Sequence, residues 1–207
     1  MKFRLFAILL AAVVLTGCGP KNISTENALP GSATETQVET SASKQTSSSE
    51  TEAYEPYIVT FAAATTDGTA ITSDCFADSK LTMINVWATY CNPCLNEMPD
   101  LGEIAASYEK SEFQMIGIVS DVSEFSEEAD KKEALELIKQ TGADTYPHLF
   151  LNQSLYSSLV GAVEGVPTTF FVNQSGELLG YLVGAQTKEA WEELINDLLE
   201  EENKANG

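Results

Sequence analysis

The sequence predicts one α/β domain, joined to an N-terminal segment of different composition. Two observations support this fold class. From about residue 55 to residue 200, strand-like and helix-like segments alternate, as they do in α/β domains. Within this region, residues 81–88 form a nearly continuous apolar run, which is expected of a central strand covered on both faces.

The first predicted elements are a hairpin, a strand and a helix. Thr66-Asp67-Gly68 is a β-turn sequence between two strand-like segments, 58–65 and 69–72, and this arrangement predicts an N-terminal β-hairpin. The apolar run at 81–88 is the next strand. Residues 94–110 then carry apolar side chains at three- and four-residue spacing, which predicts a helix with one buried face.

The second half of the domain continues the alternation. Its predicted elements are, in order, strand 113–119, helix 127–141, a short strand 149–151, strands 168–172 and 177–183, and helix 188–199. Asn173-Gln174-Ser175-Gly176 separates the last two strands and is a second hairpin signal. We therefore place the domain at 55–200 and predict a flexible tail over 201–207.

The first 17 residues have the layout of a secretory signal peptide. Lys2 and Arg4 precede an apolar run over 5–15, and this run is shorter than the about 20 residues that a membrane-spanning helix needs. The segment ends in Leu15-Thr16-Gly17-Cys18, which resembles the lipobox of bacterial lipoproteins. That resemblance implies cleavage before Cys18 and acylation of its thiol, which would anchor the chain to a membrane. An ordinary signal peptide with a chance cysteine is the alternative.

Residues 18–54 are predicted to be the lipidated cysteine followed by a disordered tether. The stretch is dominated by Ser, Thr, Glu, Gln and Ala, and its larger aliphatic side chains are few: Ile23, Leu29 and Val38. Such a composition cannot bury enough apolar surface to offset the entropy lost on folding. We expect a plain spacer between the membrane and the domain.

The charge of the chain restricts its partners. With 31 acidic and 11 basic residues, the net charge is −20. Nucleic-acid binding requires clustered Lys and Arg, so we expect no nucleic-acid partner. A negative surface is also repelled by anionic lipids, so membrane attachment is expected to depend on Cys18.

The strongest chemical signal is the Cys91-Asn92-Pro93-Cys94 motif, which lies between a predicted buried strand and a predicted helix. A helix N-terminus favours a negative sulfur and lowers the pKa of a thiol placed there. Cys91 is therefore the expected nucleophile, and Cys94 can resolve the mixed disulfide that Cys91 forms. A purely structural disulfide is one alternative. A zinc site is the other, but only Cys75 and His148 remain as further thiol or imidazole ligands, and we expect neither metal nor cofactor.

The sequence VWATYCNPC, followed by LNEMP, resembles the TlpA/ResA branch of extracytoplasmic thioredoxin-like proteins. The positions that match the pattern of this branch are Trp87, Ala88, Cys91, Pro93, Cys94, Glu97 and Pro99. The resemblance covers roughly residues 56–199. It implies a thioredoxin-like fold, with a central mixed β-sheet flanked by helices, to which the predicted hairpin would be an N-terminal extension.

Glu97 is the predicted proton acceptor for Cys94. It lies one helical turn beyond Cys94, a spacing at which side chains share a helix face, and burial would raise its pKa. Cytoplasmic thioredoxins instead place a buried Asp two residues before the Trp, a position occupied here by Asn85, which cannot take a proton. A solvated Glu favoured only by the helix dipole is the alternative.

The resemblance also implies a substrate-binding surface. Gly165-Val166-Pro167 precedes a late strand, where these proteins carry a cis proline that faces the two cysteines. Pro167 would pack against the disulfide, and the main chain of Val166 would hydrogen-bond a substrate strand. Trp87 is expected at the rim of the site, with a purely core position as the alternative. An ordinary trans proline is the alternative for Pro167.

Three further features receive structural interpretations. Cys75 is expected to be a buried, inert thiol, with a redox or intermolecular role as the alternative. His148 is expected to be structural rather than catalytic. The acidic runs at 124–130 and 192–202 are interpreted as solvated helix faces, although an acidic surface could select basic partners.

The resemblance implies an enzyme, a thiol-disulfide oxidoreductase at the outer face of the cell membrane. The favoured reading is a disulfide reductase that takes electrons from a membrane-embedded thiol donor and passes them to an extracytoplasmic client protein with a disulfide. Apocytochrome c, in cytochrome c biogenesis, or a methionine sulfoxide reductase, in an antioxidant role, is the expected client. An oxidase that installs disulfides in secreted proteins remains open, as does a non-enzymatic binding lipoprotein.

Overall fold

The computed structural model describes residues 55–205. The predicted signal peptide, Cys18 and the tether lie outside these residues. None of the helices in the described part of the chain combines the length and the apolarity needed to cross a membrane.

The domain is built on a five-stranded mixed sheet with the strand order β5-β4-β3-β6-β7. β3 is parallel to β4 and antiparallel to β6. Of the two edge strands, β5 is parallel to β4, and β7 is antiparallel to β6. The strands are β3 (Leu81–Trp87), β4 (Phe113–Ser123), β5 (His148–Leu151), β6 (Thr168–Asn173) and β7 (Leu178–Val183). The mixed sheet flanked by helices is confirmed, and so is the prediction that the apolar run forms its central strand.

Within residues 55–205, four α-helices connect or flank these strands: α1 (Asn92–Ser107), α2 (Glu128–Gln140), α3 (Gln153–Ser158) and α4 (Lys188–Ala205). Short 3₁₀ turns occur at Ser73–Asp78, Ala143–Thr145 and Val160–Ala162.

Every residue of β3 is buried, because the sheet carries an apolar core on each face. Met83 and Trp87 pack into the core that contains α1 and α4. Ile84 and Val86 point the other way, into the core beneath the hairpin and α3. This two-sided burial explains why the strand reads as a continuous apolar run rather than an alternating one.

The predicted N-terminal hairpin is present as a separate two-stranded antiparallel sheet, β1 (Ala62–Ala64) and β2 (Ala70–Thr72). Gly68 adopts a φ of 89° in its turn, a conformation that costs glycine little. The hairpin lies against the edge of the main sheet, since the Thr66 N–H donates to the His148 carbonyl at 2.7 Å. It thereby covers part of the edge strand β5.

Some predicted boundaries are wrong. β4 continues to Ser123 rather than ending at residue 119, and the short helix α3 was not predicted. Asn152 caps α3 by accepting the Leu155 N–H, but a helix of this length has too few turns to produce a periodic pattern. The helix expected to end at residue 199 extends to Ala205. An i,i+4 ion pair between Lys204 and Glu200 supports this last turn.

The register of β3 positions the functional segments. Trp87 pairs with Val119 of β4, and Val86 pairs with Thr168 of β6. The turn that leaves β3 therefore lies beside the turn that enters β6. These two turns contain Cys91 and Pro167, respectively.

Candidate active site

Cys91 and Cys94 form a disulfide at the start of α1, with their Cα atoms 5.3 Å apart. Cys91 is the N-cap residue, and its Sγ accepts the Cys94 N–H at 3.2 Å. Pro93 occupies the first turn, where a missing N–H costs nothing. The two residues differ slightly in exposure: Cys91 retains 6%, whereas Cys94 is completely buried. A partner can therefore reach Cys91 first.

The loop before β6 lies against this disulfide. The Val166–Pro167 peptide bond is cis, and the Val166 carbonyl oxygen is 3.6 Å from Cys91 Sγ. The Thr168 hydroxyl donates to the Gly165 carbonyl at 2.7 Å, and the Gly184 N–H donates to the Pro167 carbonyl at 2.8 Å. The loop is thus held from both sides, with Val166 half-exposed next to the reactive sulfur.

Glu97 is buried on the inner face of α1, with 3% exposure. Its Oε1 accepts the side-chain amide of Asn85 at 3.2 Å, and its Oε2 accepts the Gln186 N–H at 3.2 Å. The indole N–H of Trp191 is close enough to lower the pKa of the carboxyl. That indole makes no hydrogen bond of good geometry within residues 55–205.

Burial has the largest effect on the pKa of Glu97 and raises it to about 7. The hydrogen-bond donors around the carboxyl lower the pKa by less. A carboxyl with this pKa changes protonation state near neutrality, as a general acid or base should. Beside Glu97, a cleft of about 490 Å³ runs between α1 and the β7–α4 connection. Protons can reach the carboxyl from solvent along this cleft.

Asn85 links Glu97 to the sheet. It is completely buried on β3 and donates its amide to both Glu97 Oε1 and Thr169 Oγ1, at 3.2 and 3.1 Å. Sequence reasoning identified Asn85 as a residue that cannot take a proton but missed its bond to Glu97. It also missed the Gln186 N–H, because a backbone donor carries no sequence signal.

Trp87 does not rim the site, and the prediction that it contacts substrate is wrong. Its side chain is 0% exposed, and its indole N–H donates to His148 Nδ1 at 3.2 Å. The core alternative is the correct one. His148 is equally buried, and desolvation lowers its pKa to about 4, in agreement with a structural role for a neutral imidazole.

Tyr90 is the exposed aromatic residue next to the nucleophile, a position that sequence reasoning passed over. It is 75% exposed and directly precedes Cys91. The preceding residue, Thr89, donates its backbone N–H to the carboxylate of Asp121 at 3.1 Å, which fixes this turn against β4. The adjacency of an aromatic residue to the cysteine motif was the signal that could have identified it.

Cys75 stands apart from this chemistry. It is a half-buried free thiol, and burial, together with the charge of Asp78, raises its pKa to about 11. The thiol therefore stays protonated at neutral pH. Within residues 55–205, no three His, Cys, Asp or Glu side chains are grouped as a metal site would require.

Comparison with known proteins identifies the family of the chain. The redoxin family profile matches residues 41–197. The thiol-disulfide oxidoreductase ResA of Oceanobacillus iheyensis is 27% identical over 131 residues, which cover 61% of each chain. The ResA of Geobacillus thermodenitrificans is 28% identical over 110 residues, covering 53% of this chain and 58% of that protein. The chain thus spans about 60% of the length of these curated relatives.

Solved structures show the same fold. A thioredoxin-family thiol:disulfide interchange protein from Chlorobium tepidum matches with a TM-score of 0.59 and 24% identity, over 70% of this chain and 97% of that one. The exposed lipoprotein thioredoxin Etrx1 of Streptococcus pneumoniae matches with a TM-score of 0.55 and 23% identity, over 67% and 98% of the two chains. These likenesses establish a thioredoxin fold.

Proposed function

Because the chain belongs to the redoxin family, we propose that it is a thiol-disulfide oxidoreductase that uses Cys91 and Cys94. One observation carries the proposal: Cys91 caps α1 and keeps a small exposed area, while its disulfide partner Cys94 is fully buried behind it. Because of this difference, Cys91 is expected to react with the partner protein, and Cys94 is expected to resolve the mixed disulfide that results. The names of the ResA relatives point the same way.

The exchange proceeds in two displacements. In the reduced protein, the Cys91 thiolate attacks a partner's disulfide, forms a mixed disulfide and releases one partner thiolate. Cys94 then loses its proton and attacks Cys91 Sγ, which releases the second partner thiolate and leaves the Cys91–Cys94 disulfide. Two electrons pass from the cysteine pair to the partner.

Glu97 supplies the proton chemistry of the second displacement. Its pKa of about 7 allows the carboxylate to accept the Cys94 proton near neutral pH and to release it afterwards to the cleft beside α1. Asn85 cannot do so, because a carboxamide does not titrate in this range. The first turn of α1 contributes its N–H groups, which stabilise negative charge on Cys91.

The direction of electron flow and the setting belong to the same proposal. The chain acts as a reductase outside the cytoplasmic membrane, anchored through a lipid on Cys18. It draws electrons from a membrane-embedded thiol donor and delivers them to a disulfide-bearing client, such as apocytochrome c or a methionine sulfoxide reductase. The lipobox-like Leu15-Thr16-Gly17-Cys18 supports the lipid anchor, and the ResA relatives support an oxidoreductase over a non-enzymatic binding lipoprotein.

A trapping experiment tests the activity. Cys94→Ser should accumulate a mixed disulfide between Cys91 and a client, and the band should disappear on addition of dithiothreitol. Cys91→Ser is the matched control and should trap nothing. The wild-type protein should reduce insulin. Absence of both trapping and insulin reduction would instead favour a binding module.

The direction is tested by the reduction potential of the dithiol. A value near or below about −250 mV suits a reductase, whereas a value near about −120 mV suits an oxidase. The anchor is tested separately with Cys18→Ala in the full chain. This variant should leave the membrane fraction and lose the incorporation of a labelled fatty acid.

A further inference from the structure

Burial favours the protonated form of Glu97, whereas the hydrogen-bond donors around its carboxyl favour the ionised form. The Gln186 N–H donates to Oε2, and the Trp191 indole N–H faces the same carboxyl. Both groups can only donate. They stabilise the carboxylate but offer no acceptor to the O–H of the acid, which must form each time Glu97 takes a proton.

Asn85 carries the acceptor that the acid form needs. Its Nδ2 donates to Glu97 Oε1 and Thr169 Oγ1, whereas its Oδ1 is buried and has no hydrogen-bond partner in the described part of the chain. A buried carbonyl without a donor is unusual and costly. Its position on the residue that already holds Glu97 indicates a second hydrogen-bonding state.

We propose that Asn85 is a positioning residue that serves both protonation states of Glu97 by a half-turn of its carboxamide. The oxygen and nitrogen of a carboxamide are nearly equal in size, so the half-turn places Oδ1 where Nδ2 stands now. Oδ1 then accepts the O–H of the protonated Glu97. The Thr169 hydroxyl, which can donate as well as accept, turns its hydrogen towards the same oxygen.

The bond to Gln186 determines which oxygen of Glu97 carries the hydrogen. Oε2 accepts the Gln186 N–H, so the hydrogen of the acid lies on Oε1, which faces Asn85. The half-turn gives Oε1 of Glu97 a partner in each protonation state, and it moves the unpaired position of Asn85 from Oδ1 to Nδ2. The inference rests on the proposed function only in making Glu97 the proton carrier.

Two other groups, Asp100 and Tyr146, lie near the Glu97 carboxyl. The charge of Asp100, on the same helix, raises the pKa of Glu97, but Asp100 makes no hydrogen bond to Glu97 in the described part of the chain. Tyr146, before β5, interacts with the charge of Glu97. Its buried hydroxyl has no partner among residues 55–205, which makes it the rival acceptor.

Nuclear magnetic resonance of the oxidised wild-type protein tests the half-turn without an activity assay. Labelling with ¹³C-Glu and ¹⁵N-Asn reports Glu97 Cδ and the Asn85 side-chain amide during a pH titration. We expect both signals to shift with one common midpoint. The nuclear Overhauser contacts between the Asn85 amide hydrogens and Thr169 should weaken below that midpoint. An Asn85 signal that stays constant while Glu97 titrates would overturn the proposal, whatever the enzyme's activity.

Two variants sharpen the test. In Glu97→Gln, the carboxamide oxygen must face the Gln186 N–H, so its NH₂ faces Asn85 and mimics the acid. We expect Asn85 to show its low-pH signals at every pH in this variant. Tyr146→Phe removes the rival hydroxyl and should leave the Asn85 response and midpoint unchanged. Loss of the response in Tyr146→Phe would assign the acceptor role to Tyr146 and overturn the proposal.

Discussion

Trp87 donates its indole N–H to His148 Nδ1 over 3.2 Å, and the two rings meet nearly edge to face. The other imidazole nitrogen, Nε2, lies 2.9 Å from the Ala143 carbonyl oxygen. These partners require a neutral imidazole that accepts at Nδ1 and donates at Nε2. The pair joins the central strand β3 to the edge strand β5, which begins at His148, and Trp87 belongs to the same core as Cys91 and Cys94.

Replacing Trp87 should therefore affect stability more than catalysis. Trp87→Phe removes the indole N–H and leaves His148 Nδ1 unpaired in the core, which should cost about 1–3 kcal/mol beyond the lost ring volume. Phe113→Leu is the control for the lost ring volume, because Phe113 is almost as buried, at 1% exposure, and its side chain carries no hydrogen-bonding group. Urea denaturation of both variants measures the difference, and equal losses would contradict the role given to the Trp87–His148 bond.

A second prediction concerns the space that His148 occupies. Gly117 of β4 faces the imidazole so closely that a Cβ atom at this position would overlap the ring. Gly117→Ala should therefore destabilise the protein by about 1–3 kcal/mol. Gly180→Ala, on the edge strand β7, is the control, since an added Cβ there meets nothing within 4 Å in the described structure. Thermal denaturation should separate the two variants, and similar midpoints would contradict this account.

These features mark the limit of what the sequence predicts. The apolar run of β3 and the Cys91-Asn92-Pro93-Cys94 motif identify the central strand and the reactive turn, because both signals are local. The apolar run of β3 does not show which face of the sheet the Trp87 side chain lies on. When both faces of a strand are buried, alternation is lost, and no pattern separates a core side chain from one at the rim of a site.

The hydrogen-bond partners of Glu97 could not be predicted from the sequence either. The family pattern identified the residue, and burial was the expected cause of its raised pKa. The partners of its carboxyl come from β3, from the β7–α4 connection and from α4. A contact between segments so far apart in sequence depends on tertiary packing and leaves no local signal.

Stability should depend on pH through two groups with opposite effects. Glu97 has a pKa of about 7 in the folded protein against 4.5 ordinarily. The folded state therefore binds more protons than the unfolded state between these values, and stability falls as pH rises. His148 has a pKa of about 4 in the folded protein against 6.5 ordinarily. The unfolded state therefore binds more protons between these two values, and stability rises with pH there. Each contribution amounts to about 3 kcal/mol.

The two contributions overlap and should nearly cancel between about pH 4.5 and 6.5. Glu97→Gln removes one of them, so the free energy of unfolding of this variant should rise across the interval while that of the wild type stays nearly flat. Urea denaturation at several pH values measures both curves for the oxidised proteins. Parallel curves for wild type and variant would show that Glu97 does not carry the proposed shift.

The proton-carrier role of Glu97 predicts a kinetic loss with a defined pH dependence. In Glu97→Gln, resolution of the mixed disulfide by Cys94 should slow about 10²-fold or more at neutral pH, because general base catalysis is lost. The loss should shrink at high pH, where Cys94 ionises without help. Asp100→Asn is the control on the same helix and should retain most of the rate. Stopped-flow measurement of thiol release is suitable, and an equal rate in Glu97→Gln would exclude the relay.

The final prediction concerns contact with the partner protein. Tyr90 is 75% exposed beside Cys91, and Phe125, in the turn that follows β4, is 88% exposed. Because Tyr90 adjoins the attacked sulfur, Tyr90→Ser should lower kcat/KM for a protein disulfide such as insulin. It should leave the reaction with a small aromatic disulfide nearly unchanged, since that substrate needs only the sulfur. Phe125→Ser removes an equally exposed ring from a separate loop. Equal losses in both variants would extend the contact surface along β4, whereas a loss in Tyr90→Ser alone would confine it to the cysteine turn.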